Sequence, residues 1–288
     1  MEKLSLPSLN QPIEVGYNYL KTLYTSNASP TIVELYEDKT SGTLVILKKL
    51  RKSMLFTQYQ AQSAQREIRI HRMLHHPNIA ELYDSSETDN DFLLLIEFIP
   101  RHDYFTEKIE INNKPFNMKP DGDVEKLRSF SLDILRGLDY LHSHGVIHMD
   151  MKPANLMVKP VQNQDEYPIV KIADFGLSRF LAENGFAYIE KKCGTDKYVA
   201  PEVKDGSNVT CAVDIWAFGL ILYLLTVGFL PFALKWMPGQ QLKFMPRHWK
   251  KYDNTGLTNL IEQCLQLDPV KRITASQALH HEWFSCQF

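Results

Sequence analysis

The segment His148-Met-Asp-Met-Lys-Pro-Ala-Asn155 contains residue types that could promote transfer of a phosphoryl group. Phosphoryl transfer requires little covalent chemistry from a protein. It requires a carboxylate that accepts or orients a hydroxyl proton, cations near the phosphates, and ligands for magnesium. Asp150 is the candidate carboxylate, Lys152 the candidate cation, and Asn155 a candidate metal ligand. The segment is therefore predicted to be a catalytic loop.

A second candidate segment is Lys171-Ile-Ala-Asp-Phe-Gly176, an apolar run that ends in an acid and a glycine. Its carboxylate, Asp174, is a candidate ligand for a magnesium ion between phosphates. An Asp-Phe-Gly triplet alone could be any exit from a strand into a turn. Its position nineteen residues after Asn155 (174 − 155), downstream of the predicted catalytic loop, favours a functional role.

Together the two segments resemble the signature motifs of the protein kinase family, and the resemblance extends from about Tyr17 to Phe284. The run Gly194-Thr-Asp-Lys-Tyr-Val-Ala-Pro-Glu202 resembles the end of an activation segment. The run Asp214-Ile-Trp-Ala-Phe-Gly219 resembles the buried helix below the catalytic loop. By the same resemblance, Arg272 pairs with Glu202 in a structural ion pair.

The first part of the chain carries the matching phosphate-binding residues. Val45-Ile-Leu-Lys48 resembles the strand whose lysine holds the α- and β-phosphates of ATP. Val33 precedes Lys48 by fifteen residues (48 − 33), and Glu67 precedes His76 of His-Pro-Asn by nine (76 − 67), in the register of the family. The resemblance therefore implies a Lys48–Glu67 ion pair.

The resemblance also implies the two cofactors, ATP and Mg²⁺. It places the adenine between the first lobe and Met157, with Glu97 to Ile99 as the hinge and Ile96 behind the pocket. The expected cofactor-binding residues are Val33, Ile46, Lys48, Glu67, Glu97, Ile99 and Met157, and the expected metal ligands are Asn155 and Asp174.

Three departures from the family pattern bear on nucleotide binding and regulation. The positions of the glycine-rich loop hold Ser26, Ala28 and Thr31, so the backbone amides must approach phosphates past side chains. Ile46 replaces the usual alanine above the adenine and adds bulk. Met149 replaces the arginine before the catalytic aspartate and so removes the usual partner of a phosphorylated activation segment.

The elements that must position these residues divide the chain in two. Residues 17 to 98 are predicted to form strands and one helix. Two of the strands form a hairpin whose turn is Asp38-Lys-Thr-Ser-Gly42, and the helix contains Glu67. After Pro100 the pattern is mainly helical, with helices at about 123–144, 215–227, 257–267 and 274–281. We predict an α+β bilobal kinase fold: an N-terminal extension (1–16), an N-lobe (17–98), a hinge (97–100) and a C-lobe (101–288).

Composition supports a globular chain and excludes several classes of protein. With 32 basic and 34 acidic residues the formal net charge is −2, which predicts no nucleic-acid or membrane partner. The cluster Lys48, Lys49, Arg51 and Lys52 is short, and we expect most of it to be a solvated strand end. The four cysteines show no C-x-x-C pairing, which favours reduced thiols in the cytoplasm or nucleus. No apolar run is long enough to span a bilayer.

The sequence thus predicts a serine/threonine protein kinase, active on a protein substrate and monomeric. Lys152 together with Thr195 favours the serine/threonine branch, and the ending His280-His-Glu-Trp-Phe284 resembles calcium/calmodulin-regulated kinases. One alternative is a pseudokinase that serves as a binding or scaffold module with weak nucleotide affinity, for which the altered loop is the main evidence. Another, a small-molecule phosphotransferase of related fold, is disfavoured by Ala200-Pro-Glu202 and Arg272.

Overall fold

The computed structural model describes residues 6–100, 122–161, 167–231, 249 and 256–285. The chain divides into two compact units, with the boundary between Ile99 and Pro100. This division, the strands of the first unit and the helices of the second confirm the predicted α+β class. The predicted boundary at residue 16 stays a prediction.

The first unit is built on an antiparallel sheet of five strands in the order β1-β2-β3-β5-β4. Its strands are β1 (Tyr17–Tyr24), β2 (Thr31–Asp38), β3 (Leu44–Arg51), β4 (Leu82–Glu87) and β5 (Asp91–Glu97), and its helices are α1 (Ile13–Gly16) and α2 (Gln58–Arg72). Helix α2 begins at a capping box, in which Thr57 and Gln60 satisfy each other's backbone N–H groups. It ends at Arg72, four residues before the His76-Pro-Asn segment that was predicted to end it.

The predicted hairpin joins β2 to β3. Asp38 accepts hydrogen bonds at Oδ1 from the N–H groups of Ser41 (2.6 Å) and Thr40 (3.2 Å), and Gly42 has a φ of +69° that suits its lack of a Cβ. Burial alone would raise the pKa of Asp38, but the hydrogen bonds from Ser41 and Thr40 lower it below its usual value. The turn is therefore stabilised by the ionised carboxylate.

The two faces of the sheet bury different cores, as strand alternation requires. One face packs Val45 and Leu47 of β3 with Leu9, Tyr17, Tyr36 and Leu95. The other packs Leu50 of β3 with Ala64 and Ile68 of α2 and with Leu82, Phe92 and Leu94. Because Lys48 shares the face of Leu50, the alternation directs its side chain toward α2.

Residues 6–16 pack against the first of these faces. The Leu9 side chain is buried there, and its N–H donates to Asp84 Oδ2 at 2.7 Å. Gly16 lies against the ring of Pro7, where an added Cβ would come within 2.5 Å of the Pro7 Cβ. The tyrosine hydroxyl of Tyr17 also donates to the Pro7 carbonyl at 2.8 Å. This segment contributes to the core of the first unit.

The second unit contains the other described α-helices and strands. Its helices are α3 (Gly122–Ser143), α4 (Ala212–Val227), α5 (Leu257–Cys264) and α6 (Ala275–Leu279), and its strands are β6 (Val146–Ile147), β7 (Leu156–Lys159), β8 (Ile169–Ile172), β9 (Arg179–Phe180), β10 (Ala187–Ile189) and β11 (Ser207–Val209). The strands form three antiparallel pairs, β6 with β9, β7 with β8, and β10 with β11.

Helix α4 is the buried helix that its uniformly apolar sequence predicts. It packs so closely on α5 that a Cβ at Gly219 would lie 2.7 Å from the Cβ of Cys264. Gly145, which was predicted to stop α3, has a φ of +68° in the turn that follows that helix. The helix thus leads through this turn into β6 and the catalytic loop.

The basic cluster at the end of β3 corrects one expectation. Lys48 pairs with Glu67 at 2.6 Å, Lys49 with Glu34 at 2.8 Å, and Lys52 with Glu87 at 2.7 Å. Arg51 donates to backbone carbonyls of the preceding loop. The expectation of a largely solvated strand end is therefore wrong, because each cation has a partner distant in sequence.

In the part of the chain that the structure describes, none of the helices combines the length and apolar character that crossing a membrane requires. Cys193, Cys211 and Cys264 are free thiols. Cys286 lies outside the described residues.

Candidate active site

The predicted catalytic loop lies between β6 and β7 and is anchored to helix α4 through Asp214. This buried carboxylate accepts the N–H of His148 at Oδ2 (2.8 Å) and the N–H of Met149 at Oδ1 (2.9 Å). Met149 has a φ of +71°, an unusual value for a residue with a side chain. The two hydrogen bonds from the loop to one carboxylate explain how that backbone shape is held.

The His148 ring links the catalytic loop to the strand that leads to Asp174. Its Nδ1 accepts the N–H of Asp150 at 3.2 Å, so the ring proton lies on Nε2, which donates to the Ala173 carbonyl at 3.1 Å. A second link is the N–H of Ala173, which donates to the Asn155 carbonyl at 2.9 Å. The two predicted segments of the second unit are thus held together by one hydrogen bond from a side chain and one between backbones.

The Asp150 carboxylate is the centre of a hydrogen-bonded cluster. Lys152 Nζ lies 2.6 Å from Oδ2, and Asn155 Nδ2 donates to the Asp150 carbonyl (2.8 Å) and to Oδ2 (3.2 Å). Thr195 donates to Oδ1 through its N–H (3.0 Å) and its hydroxyl (2.7 Å). Only 9% of Asp150 is exposed. The carboxylate is therefore fixed in orientation by donors on both oxygens.

Thr195 is a functional candidate that sequence reasoning recorded only as a mark of the serine/threonine branch. Its hydroxyl accepts a hydrogen bond from Lys152 Nζ at 3.0 Å while donating to Asp150. The sequence signal was the Gly194-Thr195 pair before Ala-Pro-Glu. What it could not supply was the contact itself, because 45 residues separate Thr195 from Asp150.

Asn155 and Asp174 provide oxygen atoms that suit magnesium. The Asn155 amide nitrogen is used by Asp150, which leaves its oxygen as the acceptor that a metal can use. Asp174 is exposed and has a φ of +65°. Among the described residues no group of three or more His, Cys, Asp or Glu side chains could hold a metal ion. Magnesium is commonly held by one or two carboxylates and completes its shell with phosphate and water oxygens.

The segment from β10 to Glu202 is ordered by contacts within the second unit. The implied ion pair is present, with Arg272 Nη2 at 2.8 Å from Glu202 Oε2 and Nη1 also donating to the Ala212 carbonyl at 2.9 Å. Strand β10 pairs with β11, so that Tyr188 lies opposite Asn208. These contacts hold the segment that contains Thr195 at both of its ends.

Burial keeps two further groups near this segment protonated. It raises the pKa of the Tyr198 hydroxyl to about 12. Burial, followed by the charge of Asp214, raises the pKa of the Cys211 thiol to about 12. A thiol that stays protonated at neutral pH is a poor nucleophile, so Cys211 is not a candidate for catalysis.

In the first unit the predicted ion pair is present. Lys48 Nζ lies 2.6 Å from Glu67 Oε1, with the side chains 12% and 5% exposed. The glutamate comes from α2, whose packing on the Leu50 face of the sheet sets its position. Such a pair fixes the position of the Lys48 ammonium group beside α2.

The other predicted nucleotide residues occupy neighbouring strands. Val33 pairs with Lys48 across β2 and β3, and Ile46 pairs with Ile96 across β3 and β5. Glu97 ends β5 and accepts the Glu81 N–H at 3.2 Å, and Ile99 is buried. Met157 lies in the second unit, on β7. Their role in holding a nucleotide stays a prediction.

Residues 26–31, which occupy the place of the glycine-rich loop, adopt a conformation that does not require glycine. None of them has a positive φ. The Ser26 hydroxyl accepts the N–H of Ala28 at 3.1 Å, and the Ser29 hydroxyl accepts the N–H of Thr31 at 3.2 Å. Side chains therefore stabilise a turn that glycine would leave flexible.

Comparison with known proteins adds an independent line of evidence. Residues 29–284 match the family model described as the protein kinase domain. The chain is 34% identical over 226 residues (75% of this chain, 33% of the relative) to the human serine/threonine-protein kinase DCLK3. It is 31% identical over 284 residues to the carbon catabolite-derepressing protein kinase of Candida tropicalis, covering 96% of this chain and 42% of the relative. It is 32% identical over 255 residues to the CBL-interacting serine/threonine-protein kinase 8 of Arabidopsis thaliana, covering 88% and 54%. The chain thus spans between a third and about half the length of these relatives.

Proposed function

Because the chain belongs to the protein kinase family, we propose that it is an active serine/threonine protein kinase, which transfers the γ-phosphoryl group of ATP to a hydroxyl of a protein substrate. The observation that carries this proposal is the Asp150 cluster. Its carboxylate contacts Lys152 at 2.6 Å and receives two hydrogen bonds from Thr195. A chain kept only as a scaffold would have no need of this arrangement.

Each candidate site residue of the second unit has a defined part in the proposed reaction. Asp150 orients the substrate hydroxyl and accepts its proton as the new bond to phosphorus forms and ADP leaves. Lys152 places a positive charge beside the transferring group. Asn155 and Asp174 would hold Mg²⁺, which neutralises charge on the phosphates when bound. Thr195 fixes the Asp150 carboxylate and the Lys152 ammonium in their relative orientation.

The residues of the first unit would bind the nucleotide. Lys48, held by Glu67, would contact the α- and β-phosphates as a fixed cation. The remaining residues proposed to bind the adenosine part are Val33, Ile46, Glu97 and Ile99 of the first unit and Met157 of the second. The apolar side chains of Val33, Ile46, Ile99 and Met157 and the backbone at 97–99 suit a flat heterocycle with few polar atoms.

The pseudokinase alternative rested on the glycine-free loop, and no described contact favours it. All six side chains proposed for phosphate and metal chemistry are present, namely Lys48, Glu67, Asp150, Lys152, Asn155 and Asp174. Beyond the reaction itself, we propose that the chain acts as a monomer in the cytoplasm or nucleus, without a nucleic-acid or membrane partner. The likeness to calcium/calmodulin-regulated kinases stays a prediction.

The decisive test is an assay of phosphate incorporation from radiolabelled ATP into a generic protein substrate. We expect Asp150→Asn to lower the rate by about 10³-fold or more while Mg·ATP still binds, because the amide cannot accept the proton. Asp89→Asn makes the same chemical change at an exposed turn and should leave the rate unchanged. Equal incorporation by wild type and Asp150→Asn would refute the proposed activity.

A further inference from the structure

Arg51, the last residue of β3, connects that strand to the loop formed by residues 26–31. One guanidinium nitrogen, Nη2, donates to the carbonyl of Ser26 (2.7 Å) and to the carbonyl of Ser29 (2.7 Å). The backbone N–H of Arg51 donates to the carbonyl of Pro30 at 2.9 Å. Three carbonyl groups of one short loop are thus bound by a single residue, 21 to 25 positions later in the chain (51 − 30 and 51 − 26).

These contacts control the direction of a backbone donor. In a trans peptide the C=O and the following N–H point to opposite sides, and the chain has no described cis peptide. When Arg51 binds the Ser26 carbonyl, the N–H of Asn27 must point away from Arg51. Within the described residues this N–H donates no hydrogen bond, whereas the N–H groups of Ala28 and Thr31 bind serine hydroxyls.

Arg51 is also placed so that it does not take the position of the phosphate-binding lysine. Lys48 and Arg51 are three residues apart on one strand, so their side chains leave it on opposite faces. Lys48 points to the face of α2 and Glu67. Arg51 approaches the loop from the other face, where it contacts carbonyls and leaves the face of Lys48 clear.

We propose that Arg51 is a positioning residue for nucleotide binding: it holds the glycine-free loop so that the Asn27 N–H can donate to a phosphate of ATP. This inference rests on the proposed kinase function. Glycines allow such an approach through backbone freedom. Here an arginine imposes it: Nη2 contacts both carbonyls, and the planar guanidinium fixes the directions of its N–H groups, whereas a lysine ammonium can rotate.

The experiment compares the affinities of Mg·ATP and adenosine, measured by calorimetry, for wild type and three variants. Arg51→Met removes the contacts, Arg51→Lys keeps the charge, and Lys49→Met removes the neighbouring β3 cation, which pairs with Glu34 and does not contact the loop. Thermal melting of each variant reports whether the fold is kept.

We expect Arg51→Met to weaken Mg·ATP about tenfold and adenosine less than about twofold, because only the phosphates contact the loop. Arg51→Lys should give an intermediate loss, and Lys49→Met no loss for either ligand. In turnover assays, Arg51→Met should raise KM for ATP with little change in kcat.

Equal weakening of ATP and adenosine by Arg51→Met would mean that Arg51 serves the fold alone and would overturn the inference. If Arg51→Met does not fold, the same criterion applies to Arg51→Lys. Suppose that Arg51→Met weakens ATP more than adenosine as expected, but that wild type transfers no phosphate. This result would refute only the proposed activity. If wild type transfers phosphate but Arg51→Met binds ATP as tightly as wild type, only the role of Arg51 would be refuted. Absence of Mg·ATP binding by wild type would refute both.

Discussion

The catalytic loop (148–155) and the loop formed by residues 26–31 solve the problem of holding functional groups in different ways. In the catalytic loop the important atoms belong to side chains, and each is bound by several others, as Asp150 is by Lys152, Asn155 and Thr195. In the other loop the candidate donors belong to the backbone. Its residue types differ from the family pattern at Ser26, Ala28 and Thr31.

This difference indicates which positions can vary. The carboxylate of Asp150 carries the chemistry in its own side chain, so the catalytic loop keeps this residue although it departs from the family pattern at Met149. A backbone N–H is present in every residue except proline, and only its direction matters. That direction can be set by glycine or, as here, by hydroxyls and an arginine in another part of the fold.

After Asp150→Asn, the largest effect is expected from removing the Lys48 side chain in the first unit. Lys48→Met should lower the rate of phosphotransfer by about 10²–10³-fold, because it removes a preorganised cation from the phosphates. Lys49→Met, at the next position of β3, is the matched control and should change the rate less than about twofold. Steady-state kinetics with a protein substrate measure both. A rate for Lys48→Met close to that of Lys49→Met would show that Lys48 is not part of the site.

A smaller loss is expected at Thr195, which supports the catalytic loop from outside. Thr195→Ala should lower kcat by about ten- to a hundredfold, because Asp150 loses a hydroxyl donor and Lys152 an acceptor. Thr195→Ser keeps the hydroxyl and should recover most of the rate. Thr40→Ala, at an exposed turn, is the control. A Thr195→Ser variant as slow as Thr195→Ala would show that the methyl group, rather than the hydroxyl, matters.

Next come the residues near the proposed nucleotide site that depart from the family pattern. Changing them should alter the affinity for ligand by about tenfold. Overpacking costs about 1–3 kcal/mol, so Ile46→Ala should tighten ATP and adenosine alike, by about tenfold per 1.4 kcal/mol relieved. Glycine at positions 26, 28 and 31 together should tighten ATP by about fivefold and leave adenosine unchanged, because glycine lets the amides come closer to phosphates. Calorimetry with magnesium measures both ligands.

For each of these two predictions, one outcome would contradict the physical cause that we assign to it. Adenosine binding that is unchanged or weaker in Ile46→Ala would mean that the pocket has adapted to the isoleucine. If the triple glycine variant tightened adenosine as much as ATP, the loop would be acting on something other than the phosphates.

The smallest effect, expected to be none, concerns phosphorylation between Phe180 and Lys192. This stretch contains Tyr188 but no serine or threonine, and Met149 cannot pair with a phosphate as an arginine would. The pairing of β10 with β11 already orders the segment. Phosphatase treatment should therefore leave the rate of wild type and of Tyr188→Phe equal and unchanged. A loss of activity on phosphatase treatment that is absent in Tyr188→Phe would contradict this.

Local sequence was sufficient for several of the elements and for the choice of candidate site residues, whose roles stay predictions. The apolar pattern of α4 and the turn residues Asp38 to Gly42 predicted elements that the structure contains, whereas strands such as β1, β4 and β6 had no prediction of their own. These features are local because strand and helix periodicity, turn chemistry and motif spacing act over a few residues. The Lys48–Glu67 and Glu202–Arg272 pairs were also found, although only through resemblance to a family.

The sequence by itself therefore determined which chemical groups the chain carries and which elements bear them. Tertiary structure decided the partners of those groups. It joined Thr195 to Asp150 and Arg51 to the carbonyls of Ser26 and Ser29, across 45 and up to 25 residues of chain. A hydrogen bond depends on the position and direction of two atoms to within a few tenths of an ångström. For residues far apart in the chain, only the packing of strands and helices into a core sets that position.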